Sequence, residues 1–381
     1  MMSGKKSRRE THEIFPSLTR RSFLKGIALG GAASLSPFAL PASISEGSPA
    51  WPERPITTVI MYAAGGGTDT VIRTLVGPMA EKLGATINAI NKPGAVGGIA
   101  TDYVWKKPAD GYWWLGAANY NKFVRVMGHH KSITWRDWQY YQAANSLASW
   151  SVRPDSPFKT LDDLIAAAKK NPGKISISTS GVGGLWHEIM AIVADAAGIE
   201  LKFIPYKGGK PATLAGLQGE VDVAGGGVHE HVEFLRAGKL RNLAQTSAKD
   251  LEVPGYGTMK SVGNFIPKIK PLLPLGGIYN IALKRETPVE ILEKIKDAWV
   301  FAANSEQFAK VRKRKFFELD IRTGAEADRR AAQVECVTGW TFWKLRKHIG
   351  RKVVDPRELG LPRPEEFESW WPPKGYKPRL A

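Results

Sequence analysis

The sequence predicts an α/β fold with two lobes, each built on a mostly parallel sheet flanked by helices. Apolar runs of β-strand composition alternate with helical patterns from residue 56 to residue 246, as in parallel sheets joined by crossover helices. The chain has 381 residues, and the roughly 330 that follow an amino-terminal export signal are enough for two modest cores. Two glycine-rich turns, one in each half, lead from a strand into a helix.

The elements follow one another in a regular order. The predicted strands are 56–61, 86–90, 113–117, 174–178, 201–205, 221–225 and 240–246. The predicted helices between them are 69–83, 98–106, 161–169, 185–197, 211–217 and 229–237. Beyond residue 265 the pattern changes to an apolar segment (272–283), helices 288–303 and 305–313, a short strand (318–322) and a long helix (325–347). The proline-rich tail, 348–381, is expected to lie extended over the surface.

The first glycine-rich turn runs from Tyr62 to Asp69 and reads Tyr-Ala-Ala-Gly-Gly-Gly-Thr-Asp. Its glycines allow a tight turn and a close approach of the backbone to a ligand, and Thr68 or Asp69 can cap the helix that follows. The free N–H groups of the first helical turn then form a site for a carboxylate or a phosphate. The same residues also fit an ordinary strand-to-helix corner without a ligand.

The amino terminus predicts export by the twin-arginine pathway. Arg20 and Arg21 are followed by Ser-Phe-Leu-Lys and then by an uncharged apolar stretch over residues 26–40. This stretch is shorter than the ~20 apolar residues of a membrane-spanning helix. Residues 1–50 are therefore expected to be a signal region that is cleaved between residues 42 and 50. An uncleaved amphipathic anchor is the alternative.

Composition limits the classes of function. The net charge is +18, and residues 1–50 carry seven Lys/Arg against three Asp/Glu, so the rest of the chain keeps +14. The basic residues form no stripe with interleaved aromatics, and the densest run, 310–315, has the spacing of a solvated helix face, so nucleic-acid binding is not predicted. A positive field of this kind attracts small organic anions or an acidic membrane surface. The single cysteine, Cys336, excludes an intramolecular disulfide and is expected to be a buried small residue.

The second glycine-rich turn, residues 179–187, reads Thr-Ser-Gly-Val-Gly-Gly-Leu-Trp-His. A strand again runs through a flexible turn into a helix start. With one such turn in each half, two positive helix ends can face each other across a cleft and hold an anion from both sides.

Several sequence blocks carry a resemblance to a known family. They are WPERPI (51–56), GGGTD (65–69), NKPGAVGGI (91–99), PADGYWWLG (108–116), SGVG (180–183) with His187, IPYKGG (204–209) followed by Pro211 and Ala212, RAGKLR (236–241) and TSAK (246–249). Their order, over about residues 51 to 345, resembles the substrate-binding receptors of tripartite tricarboxylate transporters, the TctC or Bug type. The resemblance implies a type II-like periplasmic binding protein that closes over a carboxylated solute and delivers it to separate membrane subunits.

The resemblance also implies an organisation. Residues 51–149 plus 265–347 would form the first lobe and residues 150–264 the second, with the crossovers between them as a hinge. The expected partners are a small carboxylate ligand and the membrane subunits of the transporter, with no nucleic acid, and the receptor is expected to be a monomer in the periplasm. No cofactor and no metal are expected.

The resemblance implies a ligand site as well. One carboxylate of the ligand would be held between the first turn, the loop after the third strand and the turn of the second lobe. The residues so implied are Tyr62, Ala63, Ala64, Gly65, Gly66, Thr68, Asp69, Ala117, Ala118, Asn119, Thr179, Gly181, Gly183, Gly184, His187, Tyr206 and Gly226.

Three departures from the family pattern affect this site. The first turn has Ala63 and Ala64 where prolines are usual, and the second turn has Gly184 where a serine is usual. The loop after residues 221–223 commonly carries an Asp that meets a ligand amine, whereas here it reads Gly-Gly-Gly over 225–227. The missing Asp argues against an amino-acid ligand. Trp186 and His187 would favour a bulky or aromatic carboxylate unless Trp186 only packs.

Enzyme functions are less well supported by the sequence. The pair His129-His130 and the triplet His229-Glu230-His231 lack the i, i+4 spacing of helical metal ligands. The Gly-x-Ser-x-Gly pattern of a nucleophile elbow is absent. An exported dinucleotide-dependent oxidoreductase remains the alternative, although the run 181–184 lacks the third glycine of the dinucleotide fingerprint.

Overall fold

The computed structural model describes residues 51–380. The expected signal region, residues 1–50, lies outside the described residues. The strands are β1 (Ile56–Ile60), β2 (Ile87–Asn91), β3 (Trp113–Ala118), β4 (Trp138–Asn145), β5 (Ala148–Val152), β6 (Ser176–Thr179), β7 (Lys202–Pro205), β8 (Ala224–Gly227), β9 (Arg241–Gln245), β10 (Leu251–Val253), β11 (Gly257–Met259), β12 (Ile278–Lys284) and β13 (Glu318–Arg322).

Helices alternate with these strands over most of the chain. They are α1 (Gly67–Leu83), α2 (Gly98–Trp105), α3 (Lys122–Val126), α4 (Thr134–Asp137), α5 (Leu161–Lys170), α6 (Leu185–Ala197), α7 (Gly209–Gln218), α8 (Val228–Arg236), α9 (Val289–Ala303), α10 (Glu306–Lys315), α11 (Gly324–Lys344), α12 (Arg346–Ile349) and α13 (Phe367–Trp370). Short 3-10 turns occur at Ala95–Gly97, Asn119–Asn121, Val262–Asn264, Pro267–Leu272 and Pro364–Glu366.

The first lobe is organised around a six-stranded sheet with the order β13-β4-β12-β3-β1-β2. Strand β1 pairs in parallel with β2 and β3, because α1 and α2 provide the crossovers that the sequence predicts. The other three pairs are antiparallel. Large side chains such as Trp114, Tyr141 and Trp299 are fully buried around this sheet.

The second lobe contains a three-stranded antiparallel sheet, β8-β5-β9, and a parallel pair, β6-β7. A parallel bridge between Ile177 and Val223 connects the two. Helix α6 buries most of one face, including Ile189, Met190 and Val193. The fold is therefore the predicted two-lobed α/β fold, with sheets that are mixed rather than mostly parallel.

The antiparallel pairs involve β4 and β5, which the sequence analysis did not identify, and also β12, which pairs with both β3 and β4. Strands β4 and β5 follow each other with only two residues between them, and they belong to different sheets, β4 to that of the first lobe and β5 to that of the second. They form an aromatic-rich run from Trp138 to Val152 that is buried on both faces and therefore lacks the alternation used to find strands. The apolar segment 272–283 is likewise a strand only from Ile278 onward.

The chain crosses between the two lobes at residues 146–147 and again at residues 274–277. These crossovers are paired, because Ser146 N–H donates to the Gly277 carbonyl at 2.8 Å and Ser146 Oγ accepts from Gly277 N–H at 3.2 Å. Gly276 lies directly against Ser146, so that a Cβ atom built on Gly276 would be 1.6 Å from the Ser146 carbonyl oxygen. The two crossovers therefore touch through backbone atoms.

A buried ion pair also links α3 of the first lobe to α6 of the second. The ammonium of Lys122 lies 2.8 Å from Glu188 Oε2, and the hydroxyl of Thr338 on α11 donates to Glu188 Oε1 at 2.6 Å. Each of these side chains is buried. Loss of one partner would leave an unpaired buried charge, which typically costs about 3–5 kcal/mol.

The carboxyl-terminal tail is not simply extended. It contains a 3-10 turn and α13, and it buries Leu361 and Phe367 against the first lobe. Trp135 meets Trp370 and Trp371 edge-on at centroid distances of 6.2 and 5.9 Å. Cys336 is buried beneath the tail, as expected for a small structural residue.

Among residues 51–380, no helix combines the length and the apolar character needed to cross a membrane.

The crossover contact predicts a specific sensitivity to substitution. Gly276→Ala should destabilise the protein by about 1–3 kcal/mol, because the added methyl group has no room beside the Ser146 carbonyl. Urea unfolding checks this value. Gln307→Ala, at an exposed position of α10, is the control and should be neutral or slightly stabilising. Equal stability of both variants would contradict the proposed tight contact.

Candidate functional site

A cavity of about 30 Å³ lies between residues of the two lobes. Its walls come from the first turn, the end of β3, the start of β12 and four segments of the second lobe. The lining residues are Tyr62, Gly66, Gly67, Thr68, Ala118, Asn119, Ser180, Leu185, Trp186, Gly209, His229, Glu230 and Tyr279.

The amino ends of four helices meet at this cavity. Residues at the starts of α1 (Gly67), α6 (Leu185), α7 (Gly209) and α8 (His229) all line it. These helices are 17, 13, 10 and 9 residues long. The first N–H groups of a helix have no acceptor within the helix, and the helix dipole adds positive potential there. The cavity is therefore surrounded by groups that stabilise an anion.

Asp69 organises the first turn and does not line the cavity. Its carboxylate accepts hydrogen bonds from Gly65 N–H at 2.9 Å, from the Arg73 guanidinium at 2.8 Å and from the Asn91 amide at 2.8 Å. The same Asn91 amide also donates to the Tyr62 carbonyl. The Asp69 carboxylate is thus occupied by hydrogen bonds that stabilise the conformation of the turn.

Gly67 shows why the turn needs glycine. A Cβ atom at this position would lie 2.3 Å from His229 Nε2 and 2.3 Å from the Tyr279 hydroxyl. The backbone of the first lobe therefore approaches side chains of α8 and β12 more closely than any other residue type allows. Ala63 N–H also donates to the carbonyl of Lys207 at 3.2 Å, so the turn contacts the second lobe directly.

Of the other predicted residues in this turn, Tyr62, Gly66 and Thr68 line the cavity. Ala63, Ala64 and Gly65 lie on its outer side, where Gly65 approaches the side chain of Lys210.

The loop after β3 is strained at the cavity wall. Asn119, Tyr120 and Asn121 all have positive φ angles, between 52° and 57°. Such backbone costs about 1–3 kcal/mol per residue and is found preferentially at functional sites. Hydrogen bonds hold it in place, since Asn119 Oδ1 accepts from Ile278 N–H at 2.9 Å. Ala118 and Asn119 line the cavity as predicted positions, whereas Ala117 is buried in the sheet behind them.

Most predicted residues of the second turn face away from the cavity. Gly183 has a φ of +69° and packs on Met127, whose Sδ would be 2.5 Å from an added Cβ. His187 accepts from Gly183 N–H at 3.1 Å and lies against the ring of Phe203 at 4.3 Å. Thr179, Gly181 and Gly184 shape the turn behind Ser180, which lines the cavity together with Leu185 and Trp186.

The last two predicted positions lie outside the cavity wall. The hydroxyl of Tyr206 donates to Glu220 at 2.9 Å, on the surface. Gly226 lies just behind the wall, where a Cβ atom would be 2.7 Å from His231 Nε2 and 3.0 Å from Glu230 Oε2. The space that a side chain at 226 would occupy is therefore filled by α8.

The most informative cavity-lining residue that the sequence analysis missed is Glu230. Its carboxylate lines the cavity, accepts a hydrogen bond from Gly227 N–H at 2.9 Å and lies 3.6 Å from His229 Nε2. It contacts the amino end of α7, since a Cβ atom on Gly209 would be 1.9 Å from Glu230 Oε1. An acid is thus present near the position of the missing Asp, which removes the argument against an amino-acid ligand.

Burial and charge set the ionisation of this region. Burial alone would raise the pKa of Glu230, but His229, the Gly227 N–H and His231 together lower that pKa below its ordinary value. Burial lowers the pKa of His231 to about 4, and its Nδ1 lies 3.0 Å from the Ser151 hydroxyl. Burial, and secondarily Glu188, raises the pKa of Tyr62. The cavity therefore holds an ionised carboxylate and neutral tyrosines.

A hydrogen-bonded chain connects His229, the neighbour of Glu230, to the crossovers. The Tyr279 hydroxyl lies 3.3 Å from His229 Nε2 and donates to Ser146 Oγ at 3.0 Å. Ser146 is the residue that pairs the two crossovers. The ring of His229 is held by Phe317 at 4.8 Å and by Trp186 at 6.1 Å. Trp186 thus both packs on His229 and lines the cavity.

No group of three or more His, Cys, Asp or Glu side chains within residues 51–380 is placed to hold a metal ion. His129 and His130 lie near Trp105 on another part of the first lobe. The ring of His229 is hydrogen-bonded to Tyr279, and that of His231 is hydrogen-bonded to Ser149 and Ser151. The arrangement at the cavity can bind and orient an anion with hydrogen-bond donors.

The buried histidines predict how stability depends on pH. Burial lowers the pKa of His187 to about 4, against an ordinary value of 6.5. The unfolded chain therefore takes up the proton first as pH falls, so stability is complete above pH 6.5 and is lost as pH drops toward 4. Between pH 7.5 and pH 5 this loss should be about 2 kcal/mol for one such histidine.

His187→Gln should remove that share of the pH dependence while lowering stability at pH 7.5. Urea unfolding at both pH values measures it. A variant that loses as much stability as the unmodified protein over this range would refute the assignment.

Comparison with known proteins places the chain in a family. Residues 71–330 match the family described as the tripartite tricarboxylate transporter family receptor. A UPF0065 protein in the tcbD-tcbE intergenic region of Pseudomonas sp. (strain P51) is 30% identical over 299 residues, covering 73% of this chain and 86% of that protein.

Two solved structures share the fold. The periplasmic binding protein BugD superposes with a TM-score of 0.65 at 24% identity, covering 82% of this chain and 100% of that one. MatC from Rhodopseudomonas palustris with bound malate gives a TM-score of 0.65 at 20% identity, covering 78% and 100%. The fold is thus that of a two-lobed periplasmic binding protein, and this chain, a binding protein and not an oxidoreductase, belongs to the tripartite tricarboxylate transporter receptor family.

Proposed function

We propose that this protein is a periplasmic receptor that captures a small carboxylated organic anion between its two lobes and delivers it to a tripartite tricarboxylate-type membrane transporter. The observation that carries the proposal is the meeting of four helix amino ends, those of α1, α6, α7 and α8, at one cavity. Membership of the receptor family and the malate bound to MatC support the same class of ligand.

The sequence-based lobe bounds, 51–149 plus 265–347 and 150–264, are moved here to the crossovers at residues 146–147 and 274–277, because β5 begins at Ala148 and residues 266–275 pack in the core of the second lobe. The paired crossovers at Ser146 and Gly277 would be the hinge between the two lobes. A cavity of about 30 Å³ has room for about one water molecule and not for an organic acid. Ligand entry therefore requires the lobes to separate, which breaks contacts such as that between Ala63 and Lys207.

The proposed ligand contacts differ in part from those first expected. Tyr62, Gly66, Thr68, Ala118 and Asn119 remain, and Gly67, Ser180, Trp186, Gly209 and Glu230 are added because they line the cavity. The receptor is proposed to act as a monomer without a cofactor. The positive charge of +14 beyond residue 50 would draw small anions toward it.

Ligand binding tests the proposal. A thermal-shift screen with mono-, di- and tricarboxylates should find a stabilising ligand, and at a hundredfold its Kd that ligand adds about 2.7 kcal/mol. Gly66→Val should weaken binding of the same ligand by about tenfold or more, because the valine fills the space between the turn and Glu230, whose Oε1 is 3.4 Å from a built Cβ.

Gln307→Val, at an exposed position of α10, is the control and should bind as the unmodified protein does. Since the backbone of Gly66 has a φ of −80°, valine fits there without strain and the variant should fold. A screen in which no carboxylate stabilises the protein would rule out the proposed function.

Export gives a second test. Arg20→Lys combined with Arg21→Lys should leave the precursor in the cytoplasm, because the pathway reads the paired arginines and not only their charge. Cell fractionation measures the outcome. Lys5→Arg combined with Lys6→Arg, upstream of the pair, is the control and should be exported. Normal periplasmic delivery of the Arg20/Arg21 variant would exclude the twin-arginine route.

A further inference from the structure

A long groove lies between α6 and α11 and is separate from the small cavity described above. It consists of a cavity of about 330 Å³ and an adjoining one of about 420 Å³. The two adjoin because Ile192, Leu275, Val337 and Thr341 line both. Among residues 51–380, Leu185 is the only residue that they share with the cavity of about 30 Å³. We call this surface the α6–α11 groove.

The walls of the α6–α11 groove are mainly apolar. Ile189 and Ile192 line it from α6, and Val334 and Val337 line it from α11. Leu272 lines its far part, and the side chains of Leu272 and Val337 are 53% and 45% exposed. Apolar side chains that stay exposed together along a concave surface mark a binding site for an apolar group.

Arg330 supplies a positive charge at one end of the groove. Its Nη1 donates to Gln333 Oε1 at 2.8 Å, and within residues 51–380 Arg330 forms no ion pair. Its neighbour Arg329, in contrast, pairs with Glu368 at 2.6 Å. Burial lowers the pKa of the half-buried Arg330 guanidinium, which nevertheless stays charged at neutral pH. A guanidinium has five N–H donors, so most of those of Arg330 are left for a ligand.

The acids that line the same end do not neutralise Arg330. Glu188 is already satisfied, because it accepts from the Lys122 ammonium at 2.8 Å and from the Thr338 hydroxyl at 2.6 Å. Glu318 is exposed to water and forms no ion pair with Arg330 in the described part of the chain. The charge at this end that is both partly desolvated and unpaired is therefore positive.

We infer that the α6–α11 groove is a second binding site of this protein, for a carboxylate that carries an apolar chain, such as a fatty acid. The planar guanidinium of Arg330 would hold the carboxylate with two parallel hydrogen bonds. The chain would lie along the apolar walls toward Leu272. This site is separate from the proposed cleft for the transported anion, so the inference does not depend on the proposed function.

The dimensions of the groove favour a chain over a short acid. Arg330, Val334, Val337 and Thr341 follow one another at i, i+4, i+7 and i+11, which places them on one face of α11. From the first to the last of them the helix advances about 16 Å. A short acid at Arg330 would leave the apolar walls near Leu272 exposed to water.

Matched ligands test the inference by calorimetry. Octanoate should bind at least tenfold more tightly than butyrate, because its additional methylene groups are removed from water along the apolar walls. Octanoate should also bind about tenfold or more tightly than octanol, which has a chain of the same length but no charge for Arg330.

Variants of α11 locate the site. Arg330→Gln should weaken octanoate binding about tenfold or more and leave octanol binding unchanged, and it should fold because Arg330 has no ion pair to lose. Val337→Asp should also weaken octanoate binding, since it places a negative charge on the apolar wall at an exposed position. Arg329→Gln is the matched control, because Arg329 pairs with Glu368 and does not line the groove. Melting curves without ligand check that each variant folds.

The remaining outcomes overturn the inference. If octanoate does not bind, or binds no more tightly than octanol, the α6–α11 groove is not a carboxylate site, whatever the carboxylate screen of the proposed function finds. If Gly66→Val abolishes octanoate binding and Arg330→Gln does not, the chain occupies the cavity of about 30 Å³ in an opened form. If light scattering shows a dimer that Val337→Asp dissociates, and octanoate does not bind, a second copy of the chain covers the groove instead.

Discussion

The electrostatics of the site depend on one constraint, the meeting of four helix amino ends around a cavity of about 30 Å³. Unpaired N–H groups and aligned helix dipoles make such a place unfavourable for a cation and favourable for an anion. The folded chain places its own carboxylate, that of Glu230, among them. The nearby histidine and the Gly227 N–H keep the pKa of this acid low in spite of its burial. The cavity therefore combines donors for an anion with one acceptor.

The helix amino ends can approach the side chains around the cavity because glycine, which has no Cβ atom, stands at the contact positions. Gly67 and Gly209 each stand where a Cβ atom would lie 2.3 Å or less from a neighbouring side chain. The sequence analysis predicted the close backbone approach of the first turn from its strand, glycine run and helix start, and the role of this turn in ligand binding stays a prediction. It could not identify Gly209, because the motif around residues 204–209 gives no indication of which residues α8 brings against it.

The sequence predicted the strands that are separated from one another by helices, but it missed the strands that follow each other without a helix between them. Strands β1, β2, β3, β6 and β7 follow the alternation, whereas β4 and β5 lie in a buried aromatic run without period-two alternation. In the second turn, Gly183 and His187 belong to a sequence that is typical of a ligand-binding loop. In the structure, however, Gly183 packs against Met127 and His187 packs against Phe203. Those partners are distant in sequence, so no local pattern reveals that the turn presents Ser180 to the cavity instead.

Binding and closure are connected through a short path of side chains. Glu230 lies beside His229, whose Nε2 is 3.3 Å from the Tyr279 hydroxyl, and that hydroxyl donates to Ser146 at the crossovers. Ser146 also pairs with Gly277, so this path of side chains ends at the residues that join the two lobes. A ligand that contacts both lobes only when they are together shifts the population toward the closed form. The hydrogen bonds that run from His229, beside Glu230, thus end at the crossovers between the two lobes.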